Sequence, residues 1–126
     1  MKRRKRNPKK VLWKYFAKYV KQRDKNKCFT CGKIAEGKGM HAGHYIPKSI
    51  CGLALYFSER NVHAQCYRCN INLGGYGAKY HQQMVKRYGQ ETVDELWRIK
   101  NQVITKDLPY EELIEKYKKM TVKSIN

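Results

Sequence analysis

The sequence predicts a small α+β domain in which helices lie on both sides of a short strand and two metal-binding turns. Two CxxC pairs, Cys28/Cys31 and Cys66/Cys69, lie in the middle of the chain. On both sides of these pairs, apolar residues recur at the spacing that is typical of amphipathic helices. Since the chain has only 126 residues, we expect one domain with a small hydrophobic core.

The order of the predicted elements follows from charge, periodicity and capping signals. The first ten residues include seven Lys and Arg residues, which predicts a flexible basic arm. Helical periodicity then predicts helices before and after the cysteine-rich segment, and MHAGHYI predicts a short strand. The predicted segments are a basic arm (1–10), an N-terminal helix (11–25), a metal-binding core (26–90) and C-terminal helices (91–120). Within the core we predict a strand (40–46), a loop (47–60) and a helix (78–88). The first C-terminal helix is predicted to start at a Thr92/Glu95 capping box and the last at Asp107 to Pro109.

The two cysteine pairs predict a structural zinc site. Thiolates are soft ligands that bind zinc tetrahedrally, and each CxxC turn presents two sulfurs to one ion. A site with four cysteine ligands is saturated, so this zinc would stabilise the fold and take no part in catalysis. It would also close the segment 32–65, which contains most of the histidines. Four buried free thiols are the alternative, and the fifth cysteine, Cys51, is either a packed thiol or an auxiliary metal ligand.

The charge of the chain indicates a polyanionic partner. Lys and Arg total 28 against 10 Asp and Glu, which gives a formal net charge of +18. Self-repulsion of this size favours a partner that neutralises it, and nucleic acid is the first candidate. No apolar run approaches the length of a membrane span, so we expect a cytoplasmic protein with no membrane partner.

Histidines and asparagines cluster between and beside the cysteine pairs. The segments CFTC, HAGHYIP and NVHAQCYRCN follow one another in this order. This order resembles that of the HNH (ββα-metal) endonucleases and, among them, most that of the bacteriophage NinG, or Rap, recombination nucleases. The resemblance covers about residues 28–80 and implies a small HNH domain, stabilised by zinc and flanked by N-terminal and C-terminal helices. It further implies a metal-dependent DNA endonuclease that acts on branched recombination intermediates, such as Holliday junctions and D-loops, and a phage or prophage gene expressed in a bacterial host cell.

The resemblance implies roles for individual residues. His44, in HYIP, matches the general base that deprotonates water for attack on a phosphodiester. Asn61 matches the asparagine that holds the loop and thereby orients this base, and Asn70 matches the position that binds the catalytic divalent metal. Mg²⁺ or Mn²⁺ suits such an open site with oxygen and nitrogen ligands. Gly43 departs from the pattern, because many HNH enzymes have a metal-binding Asp or His at that position.

Two further histidines have open roles. Because residues 41 and 43 of a strand point to the same face, His41 could bind the metal that Gly43 cannot hold. A water ligand is the competing hypothesis. His63 is either another metal ligand or a hydrogen-bonding support for the site.

The basic residues of the first third of the chain predict a phosphate-binding surface that carries no sequence information. The apolar stripes of the C-terminal helices fit either the core or a homodimer. The alternative function is that of a non-catalytic zinc-knuckle nucleic-acid-binding protein, and the missing ligand at Gly43 keeps this alternative open. The residues predicted to bind DNA are Lys2, Arg3, Arg4, Lys5, Arg6, Lys9, Lys10, Lys14 and Lys18.

Overall fold

The computed structural model describes residues 7–102 and 107–123. Within these ranges the elements are, in chain order, α1 (Pro8–Arg23), β1 (Met40–His44), α2 (Gly52–Tyr56), β2 (Val62–Cys66), α3 (Gly77–Tyr88), α4 (Gln90–Lys100) and α5 (Tyr110–Lys123). A 3₁₀ turn (Gly37–Gly39) precedes β1, and a π-helical turn (Arg68–Asn72) follows β2. The mixture of helices with one small sheet agrees with the predicted α+β class. None of the described helices is long and apolar enough to cross a membrane.

Helix α1 begins earlier than the sequence pattern predicts because its first turn is capped. The Asn7 side chain accepts hydrogen bonds from the backbone N–H groups of Lys9, at 3.1 Å, and Lys10, at 3.3 Å. Pro8 occupies the first turn, where its fixed φ is favourable and its missing N–H costs nothing. The apolar periodicity from Val11 onward indicates the buried face of this helix but does not show where the helix starts.

The predicted limits of the basic arm and of the first helix are therefore wrong. The arm was expected over residues 1–10, but its last residues belong to α1, and residues 1–6 lie outside the described residues. At its other end α1 stops at Arg23, because Lys25 and Asn26 have φ values of 56° and 55°. A left-handed backbone cannot continue a right-handed helix.

Strands β1 and β2 form one two-stranded antiparallel sheet. The register places Met40 opposite Cys66 and His44 opposite Val62. Strand β1 is thus shorter than the predicted strand 40–46. The segment predicted as a loop between the strands contains the short helix α2.

The hydrophobic core of the described residues has two main clusters. In the first, Phe16 of α1 packs with Val62 of β2 and with Tyr117 of α5. The second cluster joins the segment after β1 to helices α2, α3 and α4, and it includes Cys51, which is 2% exposed. Cys51 is thus a packed thiol. Much of the apolar surface of α4 and α5 contacts these clusters, as Leu96 and Tyr117 illustrate.

Helices α3 and α4 follow each other directly. Gly89, with φ 87°, ends α3, and α4 begins at the next residue. The predicted start at a Thr92/Glu95 capping box is wrong, because Thr92 lies within α4. Gly89 is the residue before α4, and no side chain supplies a cap hydrogen bond there.

His63 of β2 is buried and hydrogen-bonded through both ring nitrogens. The Tyr80 hydroxyl donates to the Gly43 carbonyl, at 2.7 Å, so its oxygen accepts from His63 Nδ1, at 3.0 Å. His63 Nε2 then accepts from the Tyr88 hydroxyl, at 2.6 Å. The ring of Phe29 stacks on the imidazole, with centroids 4.0 Å apart. Of the two roles left open by the sequence, this arrangement favours a hydrogen-bonding support over a metal ligand.

The buried imidazole makes the stability of the protein depend on pH. Burial, and to a smaller extent the nearby Arg23 guanidinium, lower the pKa of His63 from 6.5 to about 3. Its contribution to folding is complete above pH 6.5 and is lost as the pH falls toward 3, because only the unfolded chain takes up the proton. We expect the difference in unfolding free energy between the wild type and His63→Gln to shrink by about 1 kcal/mol from pH 7 to pH 5.5 in urea titrations. A difference that does not change with pH would contradict this assignment.

Candidate functional site

Four cysteine thiols converge beside the strand pair and form what we call the cysteine cluster. Cys28 and Cys31 lie on a turn that follows α1, Cys66 ends β2, and Cys69 lies in the π-helical turn. The four Sγ atoms all lie within 4.8 Å of one another. Cys31 is exposed and the other three residues are buried. The structure thus brings the predicted quartet together, and the cluster can bind a metal ion such as zinc.

The electrostatics of the cysteine cluster favour a bound cation. Burial raises the pKa of the Cys69 thiol to about 12, and the adjacent Cys66 and Cys31 thiols act in the same direction. Burial also opposes ionisation of Cys28, but hydrogen bonds from the Thr30 hydroxyl and from backbone N–H groups outweigh it and lower its pKa to about 6. Thiolates gathered this closely repel one another, so a divalent cation stabilises them as it displaces their protons.

His44, the predicted general base, has a fixed orientation at the end of β1. Its Nε2 lies 3.0 Å from the backbone carbonyl oxygen of Tyr56, and because a carbonyl only accepts, Nε2 carries a proton. The Trp13 indole stacks on the imidazole, with centroids 5.1 Å apart and 13° between the planes. Burial lowers the pKa of His44 below its usual value of 6.5, so the ring is neutral at neutral pH. The neutral tautomer leaves the lone pair of Nδ1 available as a base.

His44 and Asn70 line one small pocket, which we call the His44 pocket. Its volume is about 260 Å³, and the rings of Trp13 and Tyr56 form part of its wall. Asn70 directly follows Cys69, so the cysteine cluster determines where its amide lies. No hydrogen bond of the Asn70 side chain occurs among the described residues, which leaves its Oδ1 available as a ligand. The described residues that line the pocket include no carboxylate.

Asn61 does not line this pocket, but its side chain forms hydrogen bonds with backbone groups of neighbouring segments. The side chain is completely buried. Its Oδ1 accepts from the Ile46 N–H at 2.8 Å, and its Nδ2 donates to the carbonyls of Ile46, at 3.2 Å, and Leu55, at 3.1 Å. These bonds join the segment after β1 to helix α2, which supplies the Tyr56 carbonyl. Asn61 therefore joins two segments of chain next to His44, which is compatible with the predicted role of holding the loop.

His41 is not brought to the His44 pocket. Its Nε2 hydrogen-bonds with the Lys38 carbonyl at 3.1 Å, and its ring contacts the edge of Tyr67, with centroids 5.6 Å apart. His41 is not among the described residues that line the His44 pocket. The structure thus does not join His41 with His44 and Asn70.

The predicted DNA-binding residues lie on α1 or before it. Lys10, Lys14 and Lys18 are exposed on this helix. The Lys9 ammonium lies over the Tyr56 ring, 4.2 Å from its centroid, and thus beside the wall of the His44 pocket. The remaining predicted residues lie outside the described part of the chain: Lys2, Arg3, Arg4, Lys5 and Arg6.

A second basic surface is a cleft of about 790 Å³ beside the cysteine cluster. The sequence reasoning predicted phosphate binding by basic residues of the first third of the chain, but it missed the part of this cleft that α3 forms. Lys79, Gln83 and Lys86 line it from one face of α3. Their spacing of four and three positions is the signal that could have revealed it. Seven cationic side chains line this basic cleft: Arg23, Lys25, Lys27, Arg68, Lys79, Lys86 and Arg87.

Replacement of Cys66 by serine should disrupt the fold. Cys66 ends β2, and its Sγ lies 3.7 Å from that of Cys31, so it links the two cysteine pairs. Because metal binding by such a cluster is coupled to folding, we expect Cys66→Ser to lose bound zinc and to melt about 10 °C or more below the wild type. Zinc analysis and thermal unfolding measure the two effects.

Cys51→Ser is the matched control, because Cys51 is also buried but lies outside the cysteine cluster. This variant should retain one equivalent of zinc while losing only packing energy. Cys66→Ser with one equivalent of zinc and wild-type melting would refute a structural role for the cluster.

Comparison with known proteins identifies the family. The family profile described as "Bacteriophage Lambda NinG protein" matches residues 1–126. "Protein ninG" of Escherichia phage lambda and its counterpart of Escherichia phage 933W are each 35% identical over 79 residues, and that of Salmonella phage P22 is 33% identical over 79 residues. These alignments cover 62% of this chain but only 38% of each relative. No solved structure matches the chain significantly. Since the family profile spans the chain from end to end, this chain belongs to the NinG family.

Proposed function

We propose that the chain is a metal-dependent DNA endonuclease of the HNH type. The observation that carries the proposal is the setting of His44, a neutral imidazole that is oriented by the Tyr56 carbonyl and shares its pocket with Asn70. Hydrolysis of a phosphodiester needs a base that is unprotonated near neutral pH and a cation that offsets the developing charge. The His44 pocket offers a residue for each need.

The order of the elements supports the HNH assignment. Strand β1, which ends at His44, pairs with β2, and helix α3 follows after the second cysteine pair. This strand, strand and helix order is the ββα arrangement that the resemblance implies. Membership of the NinG family is a further argument for it.

In the proposed reaction, His44 acts as the general base. Its Nδ1 takes a proton from a water molecule as the water oxygen attacks phosphorus, and the bond from phosphorus to the leaving oxygen breaks. The lowered pKa keeps Nδ1 unprotonated before the attack, and the Trp13 stack restricts rotation of the ring. The bond from Nε2–H to the Tyr56 carbonyl stabilises the imidazolium that forms.

Asn70 fits the role of a ligand for Mg²⁺ or Mn²⁺, because these hard cations prefer oxygen and its Oδ1 is unpartnered. A divalent cation in the His44 pocket would offset the negative charge that develops on the phosphate. The cysteine cluster suits zinc instead, since its four ligands are soft sulfurs. The two sites would thus differ in both their ligands and their tasks, one catalytic and one structural.

The basic surfaces support DNA as the substrate. Exposed lysines of α1 and the cations of the basic cleft can neutralise phosphates of the backbone, and the net charge of +18 favours such contacts. Basic residues on α1 and in the basic cleft suit a branched substrate such as a Holliday junction or a D-loop, because its arms leave the branch point in different directions. The phage sources of the relatives support a phage protein that acts in a bacterial host, and the role in recombination and the cytoplasmic location are part of the proposal.

Removal of the imidazole should separate DNA binding from cleavage. We expect His44→Ala to cut a labelled Holliday junction in Mg²⁺ or Mn²⁺ about 100-fold or more slowly than the wild type, with DNA affinity nearly unchanged. Because a base acts only when unprotonated, the wild-type cleavage rate should rise with pH. It should already reach its plateau at a pH below 6.5, because the pKa of His44 is lowered. Single-turnover rates on junction, flap and linear DNA measure these effects.

His41→Ala is the matched control, since this histidine is on the same strand but outside the His44 pocket. It should cleave at a rate close to that of the wild type. If His44→Ala folds, binds DNA and cuts at the wild-type rate, the nuclease proposal fails. A wild-type chain that binds DNA without metal-dependent nicking would instead favour the second candidate, a non-catalytic zinc-knuckle nucleic-acid-binding protein, which the bare Gly43 position supports.

A further inference from the structure

Gln65 of β2 is a polar residue that the proposed reaction leaves unused. The residue is completely buried. Its Nε2 donates to the Gly75 carbonyl, at 2.8 Å, and to the Thr30 hydroxyl, at 3.3 Å. Since the carbonyl accepts only, these bonds fix which end of the amide is nitrogen. The direction of the remaining amide oxygen, Oε1, is therefore fixed as well.

The Oε1 atom of Gln65 has no hydrogen-bond partner. Within residues 7–102 and 107–123, it is the only buried side-chain nitrogen or oxygen in this condition. A buried acceptor without a partner is unfavourable, so native proteins usually complete it with a donor, a water molecule or a cation. The position of Oε1 shows which of these it suits.

Gln65 Oε1 lies at the place that a side chain of Gly43 would occupy. A Cβ built on Gly43 would be 2.0 Å from Gln65 Oε1 and 3.0 Å from Asn70 Oδ1. The first distance is too short for any residue other than glycine, unless the Gln65 side chain moves. Two amide oxygens, both free of hydrogen-bond partners among the described residues, thus lie close to the Cβ position of Gly43, which directly precedes His44 in β1.

We infer that Gln65 Oε1 and Asn70 Oδ1 together bind the proposed divalent cation. Asn70 lines the His44 pocket, and Gln65 lies next to it at the place of a Gly43 side chain. The inference rests on the proposed function and adds a ligand to the same site. The oxygen of Gln65 reaches across the strand pair and takes the place of a ligand at position 43. This explains how a chain with Gly43 at that position can still hold a catalytic cation, without His41.

The ligand set has a chemical consequence for the cation. Mg²⁺ and Mn²⁺ accept neutral amide oxygens, and an octahedral ion with two protein ligands has four positions left for water and phosphate oxygens. Two neutral ligands leave the full charge of the ion uncompensated. The free protein should therefore bind Mn²⁺ weakly, and bound DNA should strengthen this binding because phosphate supplies the missing negative charge.

Mn²⁺ binding to the zinc-loaded full chain tests the inference, with the electron paramagnetic resonance signal of free Mn²⁺ as the readout. Gln65→Met removes the oxygen at nearly constant volume. We expect it to weaken Mn²⁺ binding about 10-fold or more, as Asn70→Ala should also do, while the zinc content stays at one equivalent. If Gln65→Met binds Mn²⁺ as tightly as the wild type while Asn70→Ala binds it weakly, the role of Gln65 is overturned. The proposed nuclease function would not be affected by that result. If the wild type and Asn70→Ala bind Mn²⁺ equally, or the wild type does not bind it, the inference is overturned. If the wild type also fails to nick DNA, the proposed function is overturned as well.

A paired substitution keeps the inference testable if Gln65→Met does not fold. Gly43→Asp alone should lower the melting temperature, because its Cβ collides with the Gln65 side chain. In the double variant Gly43→Asp/Gln65→Ala, the carboxylate occupies the space that the amide has left. This double variant should bind Mn²⁺ at least as tightly as the wild type, and Gln65→Ala alone should not. Equal, weak binding by Gln65→Ala and the double variant would overturn the inference.

Discussion

The convergence of four thiols at one point is the constraint on which the rest of the structure depends. It fixes the end of β2 and the π-helical turn after it. Gln65 directly precedes Cys66 and Asn70 directly follows Cys69, so the cluster determines the positions of both amide oxygens. The Thr30 hydroxyl lies 3.2 Å from one thiol of the cluster and 3.3 Å from the Gln65 amide nitrogen. A change in the cysteine cluster would therefore reach the Gln65 amide through the Thr30 side chain.

In the proposed site the base and both inferred cation ligands are neutral, and the one charged residue among the described residues that line the His44 pocket is the cation Lys48. His44 is uncharged at neutral pH, both inferred cation ligands are amides, and the described residues that line the pocket supply no carboxylate. The charges that balance a divalent cation there would come from DNA phosphates. Metal binding and DNA binding would then strengthen each other.

The parts of the fold that depend on local pattern could be predicted from the sequence, and those that depend on cross-strand neighbours could not. The helical periodicity of α1 and α3 and the cysteine spacing are local signals, and the structure shows these helices and the cluster. The start of α1 was missed because the Asn7 cap, although visible as Asn-Pro, lies inside a run of positive charge. The amide of Gln65 could not be found, because its proximity to Gly43 depends on the register of β1 and β2. The alternation of side chains along a strand puts residues 41 and 43 on the same face, which led to the hypothesis that His41 binds the metal. For the same reason, this alternation could not show that the Gln65 amide oxygen already lies at the place of a Gly43 side chain.

Anomalous X-ray scattering from crystals of the zinc-loaded protein grown with Mn²⁺ and an uncleaved DNA junction tests the central claim most directly, because data collected at the two absorption edges distinguish the ions. The account predicts zinc between the four cysteine sulfurs, at about 2.3 Å from each. It also predicts Mn²⁺ in the His44 pocket, bonded to the amide oxygens of Gln65 and Asn70 and to a DNA phosphate. Mn²⁺ that is bonded to His41 or absent from the His44 pocket, with zinc in place and DNA bound, would contradict the account.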